Sequence, residues 1–288
     1  MRFIVLATVF WATSFPVITH GLQYISPYLF GFLRFAVAFA IFYIFLLIRK
    51  VPIRFEQLIL DRRLALLGIL NGAGYIFQFQ AQALTTASKT ALFINTSPIF
   101  VALIERFLLK RRLHPAKVWA LILVITGIFL ISTNLNLSEL SRINPGDLLN
   151  IGAALVWAVF VVESRGVVEE FGESRFNLSL YLWASIILFP LIFFEDIRFH
   201  PAGIPHVLHL ALFCTIIAYM LYSIAVRTVS PTTIAITFSL EVVLATIISF
   251  AWLGERFTPV ETIGALFVLS GITLAGISEV RNGNSLSE

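Results

Sequence analysis

Asn71, Tyr75, Gln78 and Gln82 recur at steps of four, three and four residues, which places all four on one face of a helix. Their amides and phenol could offer hydrogen bonds and aromatic contact to a small molecule. In hydrocarbon an unsatisfied amide is costly, so the stripe must face other helices or a water-filled path. Sliding the chain by 144 residues brings Thr215, Tyr219, Tyr222 and Val226 onto these positions, and three of them keep a polar group. Two mirrored stripes suit a central pathway. Interhelical hydrogen bonding, a common use of such residues, remains the alternative.

Glu241 lies about eight residues, or roughly 12 Å, into the ninth apolar segment. A carboxylate at that depth is expected to be paired, protonated or open to a polar cavity, where it suits proton relay or recognition of a substrate amine. Thr237 precedes it by one turn. Its counterpart in the first half is Ser97, which with Asn95 sits beside Pro98 in the fourth segment. Arg34, about six residues from one end of the second segment, is long enough to snorkel to the interface, and anchoring and binding both remain open. Trp11 and Trp157 are symmetry-related candidates for aromatic gates or packing. Glu105, Glu163 and Glu255 read as boundary or salt-bridge residues, and His20 as interfacial. Cys214, the only cysteine, reads as packing.

These groups need an unusual scaffold. Hydrophobic residues make up 59% of the 288 positions and charged residues 12%, with 28 Phe. An average soluble domain has about 45–50% apolar and roughly 25% charged residues. The mean hydropathy of +0.93 therefore implies that lipid is the solvent for most of the surface. The net charge of +4 is explained by basic residues on cytoplasmic loops, and nucleic acid is not an expected partner.

A spanning helix takes roughly 20 apolar residues. Ten segments qualify: Phe3–Thr19, Tyr28–Ile48, Leu64–Leu84, Thr90–Leu109, Ala116–Thr133, Leu148–Glu163, Leu178–Phe194, His206–Val226, Thr233–Leu253 and Val260–Ser278. The start resembles a signal peptide but is read as a real span. One side of this arrangement receives Arg2, Arg49, Lys50, Arg54, Arg62, Arg63, Arg106, Lys110, Arg111, Arg112, Lys117, Arg165, Arg175, Arg227 and Arg281; the other receives only Lys89, Arg142, Arg198 and Arg256. Such a bias places both termini in the cytoplasm of a multi-pass plasma (inner) membrane protein.

The offset of 144 also aligns Ala91 with Ala235, Arg112 with Arg256, Pro115 with Pro259 and Gly127 with Gly271, while a two-residue slip pairs Trp11-Ala12 with Trp157-Ala158. The expected organisation is a first five-helix repeat over 1–140, a second over 141–281 and a polar tail over 282–288. With five spans per half the second enters the membrane from the opposite side, an inverted repeat suited to alternating access. Duplication without alternating access, as in a channel, is the competing reading. The first and sixth spans are the least continuous, interrupted at Thr13-Ser14-Phe15-Pro16 and Glu163-Ser164-Arg165. Paired broken spans point to the substrate route.

Phe10-Trp11-Ala12-Thr13-Ser14-Phe15, Leu33-Arg34-Phe35, and Leu253-Gly254-Glu255-Arg256-Phe257-Thr258 followed by Gly264 and Gly271 resemble the EamA-type branch of the drug/metabolite transporter superfamily across the whole chain. That resemblance implies an all-α, ten-helix membrane fold with a central cavity, usually serving export of amino acids or related metabolites. The family's ninth span often reads Leu-Glu-Pro; here Leu240-Glu241-Val242 predicts a weaker kink.

No nucleophile-base constellation or metal-ligand spacing is visible, so neither an enzyme, a cofactor nor a metal is expected. The absence of a Gly-x-x-x-x-Gly-Lys-Ser/Thr loop excludes direct use of ATP by this chain. The expected function is gradient-driven export of a small molecule by a chain working as a monomer in the lipid bilayer. An exchanger or channel-like facilitator is a variant of it; an intramembrane enzyme or structural membrane subunit is the alternative of a different class.

Overall fold

The computed structural model describes residues 1–85, 87–138, 143–253 and 258–284. The described residues are helical apart from connections and one isolated antiparallel bridge between Ile25 and Phe199. In order, the helices are α1 (Arg2–Ala12), α2 (Ser14–Gly21), α3 (Pro27–Ile48), α4 (Phe55–Leu60), α5 (Arg62–Leu84), α6 (Ala87–Ile94), α7 (Ser97–Leu103), α8 (Pro115–Thr133), α9 (Pro145–Leu188), α10 (Ile204–Ala211), α11 (Ala218–Ala225), α12 (Pro231–Phe238), α13 (Leu240–Leu253) and α14 (Pro259–Asn284).

Local chemistry sets many of these boundaries. Proline stands in the first turn of α3, α8, α9, α12 and α14, where its missing N–H has no intrahelical role and its fixed φ favours the helix. Asp61 caps α5 by accepting from the N–H groups of Arg63 and Leu64 at 2.9 and 3.1 Å. Asn144 and Asp147 form a reciprocal capping box on α9. Inside the long α9, Gly172 has φ 78°, a left-handed turn that redirects the chain between two helical runs.

Among the described residues, seven stretches are long and apolar enough to cross a membrane: Pro27–Ile48, Arg62–Ala81, Pro115–Thr133, Pro145–Phe194, Pro201–Ala225, Pro231–Ile248 and Pro259–Val280. The expected sixth and seventh spans lie within the single stretch Pro145–Phe194, which turns at Gly172. The expected first span is divided at Thr13. The expected fourth is divided at Asn95-Thr96 and ends in a π-helix over Ile104–Leu108. Large apolar side chains such as Trp119, Leu155, Phe189 and Leu266 are exposed, a surface that suits lipid.

Two features differ from expectation. The sixth span is not interrupted at Glu163-Ser164-Arg165; α9 continues through it, with Ser164 Oγ donating to Phe160 O at 2.6 Å within the helix. The ninth span breaks at Ser239, between α12 and α13, although no proline follows Glu241. That break is the 144-residue counterpart of the one at Asn95.

The packing is tightest where glycine replaces a side chain. A β-carbon at Gly127 of α8 would come within 2.5 Å of Gly264 O on α14, and one at Gly271 within 2.8 Å of Ala120 O, so these two helices touch main chain to main chain. On α5, Gly68 and Gly72 make the same room for Trp183 and Ile187 of α9.

Candidate functional site

Arg34 is the centre of a buried polar cluster. It arises from α3 and is 2% exposed, so the side chain turns into the bundle and does not snorkel to the interface. Its Nε donates to Thr215 Oγ1 at 2.8 Å, and its Nη2 donates to Tyr75 Oη at 3.1 Å and to Cys214 O at 3.0 Å. The guanidinium also lies over the Tyr75 ring, 4.8 Å from its centroid, and 5.2 Å from that of Phe35. A buried cation held by aromatic faces and three acceptors is well solvated by protein.

The carbonyl of Cys214 is available because α10 runs into a π-helix over Leu212–Ile217. There the N–H of Ala218 bonds to Phe213 O and Thr215 O and bypasses Cys214 O, which an α-helix would have used. Trp11 Nε1 donates to the same carbonyl at 2.9 Å. The Cys214 thiol is buried and donates to Phe10 O at 3.2 Å, in keeping with a packing role.

From Arg34 the network crosses the chain. Tyr75 Oη lies 3.3 Å from Tyr219 Oη, and Tyr219 Oη donates to Asn71 Oδ1 at 2.6 Å. The two stripes identified by spacing thus meet through Asn71, Tyr75, Thr215 and Tyr219. The rings of Trp157 and Tyr75 stand perpendicular with centroids 5.3 Å apart, and those of Trp11 and Tyr219 nearly so at 5.2 Å. Each tryptophan therefore packs on the tyrosine of the opposite half. Gly74 gives Trp157 its space, since a β-carbon there would lie 2.8 Å from the indole.

The remaining candidates divide. Glu241 is partly accessible and, among the described residues, makes no hydrogen bond or ion pair. Gln78 is partly accessible and has no hydrogen-bond partner among the described residues, and Ser97 opens α7. Asn95 lies at the break between α6 and α7. Tyr222 is fully buried; its ring packs beside Trp11 and Tyr219, but its hydroxyl donates to Ser164 Oγ at 2.9 Å and takes no part in the Arg34 hydrogen bonds. Thr237 is fully buried with its hydroxyl donated to Thr233 O at 2.8 Å, so its polar atom serves its own helix. The side chain of Gln82, and Glu255 with Arg256, lie outside the described residues.

Spacing did not find Arg34 and Thr215 as partners. The signal available was the 144-residue match of Thr215 to Asn71, which put a hydroxyl on the same stripe. Elsewhere, Glu105 Oε2 accepts from the N–H and hydroxyl of Thr232 at 3.1 and 2.5 Å, and Glu105 pairs with Arg111 at 3.4 Å, a helix-end role. His20 is exposed, its Nδ1 3.1 Å from His206 Nε2. Among the described residues no group of three or more His, Cys, Asp or Glu is placed to hold a metal.

Comparison with known proteins agrees with this architecture. The model of the EamA-like transporter family matches residues 1–133 and 144–277. An uncharacterized transporter of Archaeoglobus fulgidus is 28% identical over 277 residues, covering 93% of this chain and 94% of its own. The threonine/homoserine exporter RhtA of Escherichia coli (strain K12) is 26% identical over 234 residues, covering 79% and 76%. A solved crystal structure at 20% identity superimposes with a TM-score of 0.80 over 97% of both chains, a likeness of fold.

Proposed function

Because the chain belongs to the EamA-like transporter family, whose members are transporters and not enzymes, we propose that it is a secondary transporter exporting amino acids or similar small metabolites by alternating access. In this reading ten spans form two inverted five-helix halves, 1–140 and 141–281, followed by the tail 282–288. The fifteen-to-four bias of basic residues supports cytoplasmic termini in the inner membrane. The amino-acid assignment draws on the relative named as a threonine/homoserine exporter.

One observation carries the reading. Tyr75 and Tyr219, corresponding residues of the two halves, touch at 3.3 Å, and each is covered by the tryptophan of the other half. A substrate held between these groups would contact both halves at once, so a change in their relative tilt would alter its access without dismantling its site. Asn71, Tyr75, Tyr219, Trp11 and Trp157 contribute hydrogen bonds and ring faces, and Glu241 binds an amine or a proton. A single chain forms the whole route.

Counterflow of amino acids in proteoliposomes containing the purified chain tests this. Glu241→Gln and Tyr219→Ala are expected to slow exchange or change its selectivity; unaltered rate and selectivity in both would remove these residues from the site.

A further inference from the structure

Resting on that transport reading, we propose that Arg34 and Asn71 form the subsite for the carboxylate of a zwitterionic substrate, whose ammonium end faces Glu241. Tyr219 Oη gives its hydrogen to Asn71 Oδ1, so at its contact with Tyr75 it must accept. Tyr75 therefore donates to Tyr219, and its own oxygen accepts from Arg34 Nη2. The chain has one direction, from guanidinium through two phenols to an amide oxygen.

What this leaves over is entirely donor. Asn71 Nδ2 is buried, the residue being 0% exposed, and has no hydrogen-bond partner. Arg34 Nη1 carries two N–H groups with no partner among the described residues, whereas Nε and Nη2 are committed to Thr215, Tyr75 and Cys214. Native proteins seldom leave a buried group such as Asn71 Nδ2 unsatisfied, and an orphaned buried donor calls for an explanation such as a ligand. Both unsatisfied ends belong to one hydrogen-bonded network that carries the positive charge of Arg34. The complementary group is an anion with two acceptor oxygens, one for Nη1 of the guanidinium and one for Asn71 Nδ2. Glu241 is partly accessible and makes no hydrogen bond or ion pair among the described residues, so it is the carboxylate left to take the cation of a ligand with separated charges.

Replacing Arg34 strands Tyr75 and Thr215 and could unfold the bundle, so Asn71→Asp is the primary test. The aspartate keeps an oxygen for Tyr219 Oη and turns the free donor into an anion. Counterflow would be measured in proteoliposomes of the full chain, with the twenty common L-amino acids against their carboxamides. The native chain is expected to move its best free acid at least about tenfold faster than the amide, the scale of one charged hydrogen bond. Asn71→Asp, with unchanged circular dichroism and thermal transition, is expected to bring the two close to parity. Equal movement of acid and amide by the native chain, or a preference kept in folded Asn71→Asp, overturns the carboxylate subsite and leaves the transport reading standing. Movement of none of these compounds overturns both.

Discussion

The phenol oxygens of Tyr75 and Tyr219 lie 3.3 Å apart although 144 residues separate them in the chain. Each residue also ties its own neighbour to the contact, Tyr75 through Arg34 and Tyr219 through Asn71. Tyr219→Phe keeps the ring against Trp11 and deletes only the hydroxyl, leaving Asn71 Oδ1 without its donor. A loss of about 1–3 kcal/mol in stability is expected, the usual cost of orphaning a buried polar group. A double-mutant cycle of Tyr75→Phe and Tyr219→Phe, followed by denaturation in detergent, is expected to give a coupling of at least about 0.5 kcal/mol. Strict additivity would show that the two hydroxyls do not interact.

The helix glycines separate into those with contacts and those without. Gly127→Ala would press a methyl to 2.5 Å from Gly264 O, and neither backbone can yield without moving its helix. An overpacking cost of about 1–3 kcal/mol is expected. A β-carbon added at Gly152, inside α9, would meet nothing within 4 Å, so Gly152→Ala is expected to be neutral or to stabilise by up to about 1 kcal/mol. Thermal transitions of the two variants, side by side, check both signs.

Gly172 presents a third situation. Its surroundings are open, with nothing within 4 Å, yet φ is 78°. With ψ at 162° the backbone lies in a region essentially restricted to glycine, so Gly172→Ala is expected to cost about 1–3 kcal/mol from backbone strain alone. A thermal transition as high as that of the native chain would show that the turn can relax to a negative φ.

At the start of α9, Asp147 accepts from Thr85 Oγ1 at 2.6 Å and pairs with Lys89 at 3.0 Å, the two side chains being 0% and 7% exposed. Asp147→Ala is expected to lower stability by about 3–5 kcal/mol, since it removes one member of a buried pair. Lys89→Met combined with Asp147→Leu is expected to recover a large part of that loss. Failure of the double variant to recover would indicate that the capping of α9 by Asp147, and not the charge pair, dominates.

Much of the site was legible because burial in lipid leaves polar side chains few alternatives. The spacing of Asn71 and Tyr75, with the offset to Thr215 and Tyr219, identified groups that do meet. Position along a helix did not reveal which way a long side chain turns, and Arg34 turns inward because Thr215 and a carbonyl wait there. That carbonyl is offered by a local widening of the helix at Cys214, a backbone event with no compositional mark. Thr237 lay at a suitable depth, but a hydroxyl can also be absorbed by the preceding turn, and here it is. The break at Ser239 was hidden because proline is one route to a helix interruption and the chain takes another.

The contact between α8 and α14 at Gly127 and Gly264 leaves no layer of side chains between the two main chains. With nothing there to repack, the pair behaves as a fixed post, and sliding one member along the other would drive carbonyls into backbone. In the proposed transport cycle the two halves would tilt about this post, and the conformational work would fall on segments already cut into pieces, α1 with α2, α6 with α7, and α12 with α13. The post would then be the pivot of that cycle and the divided segments its joints.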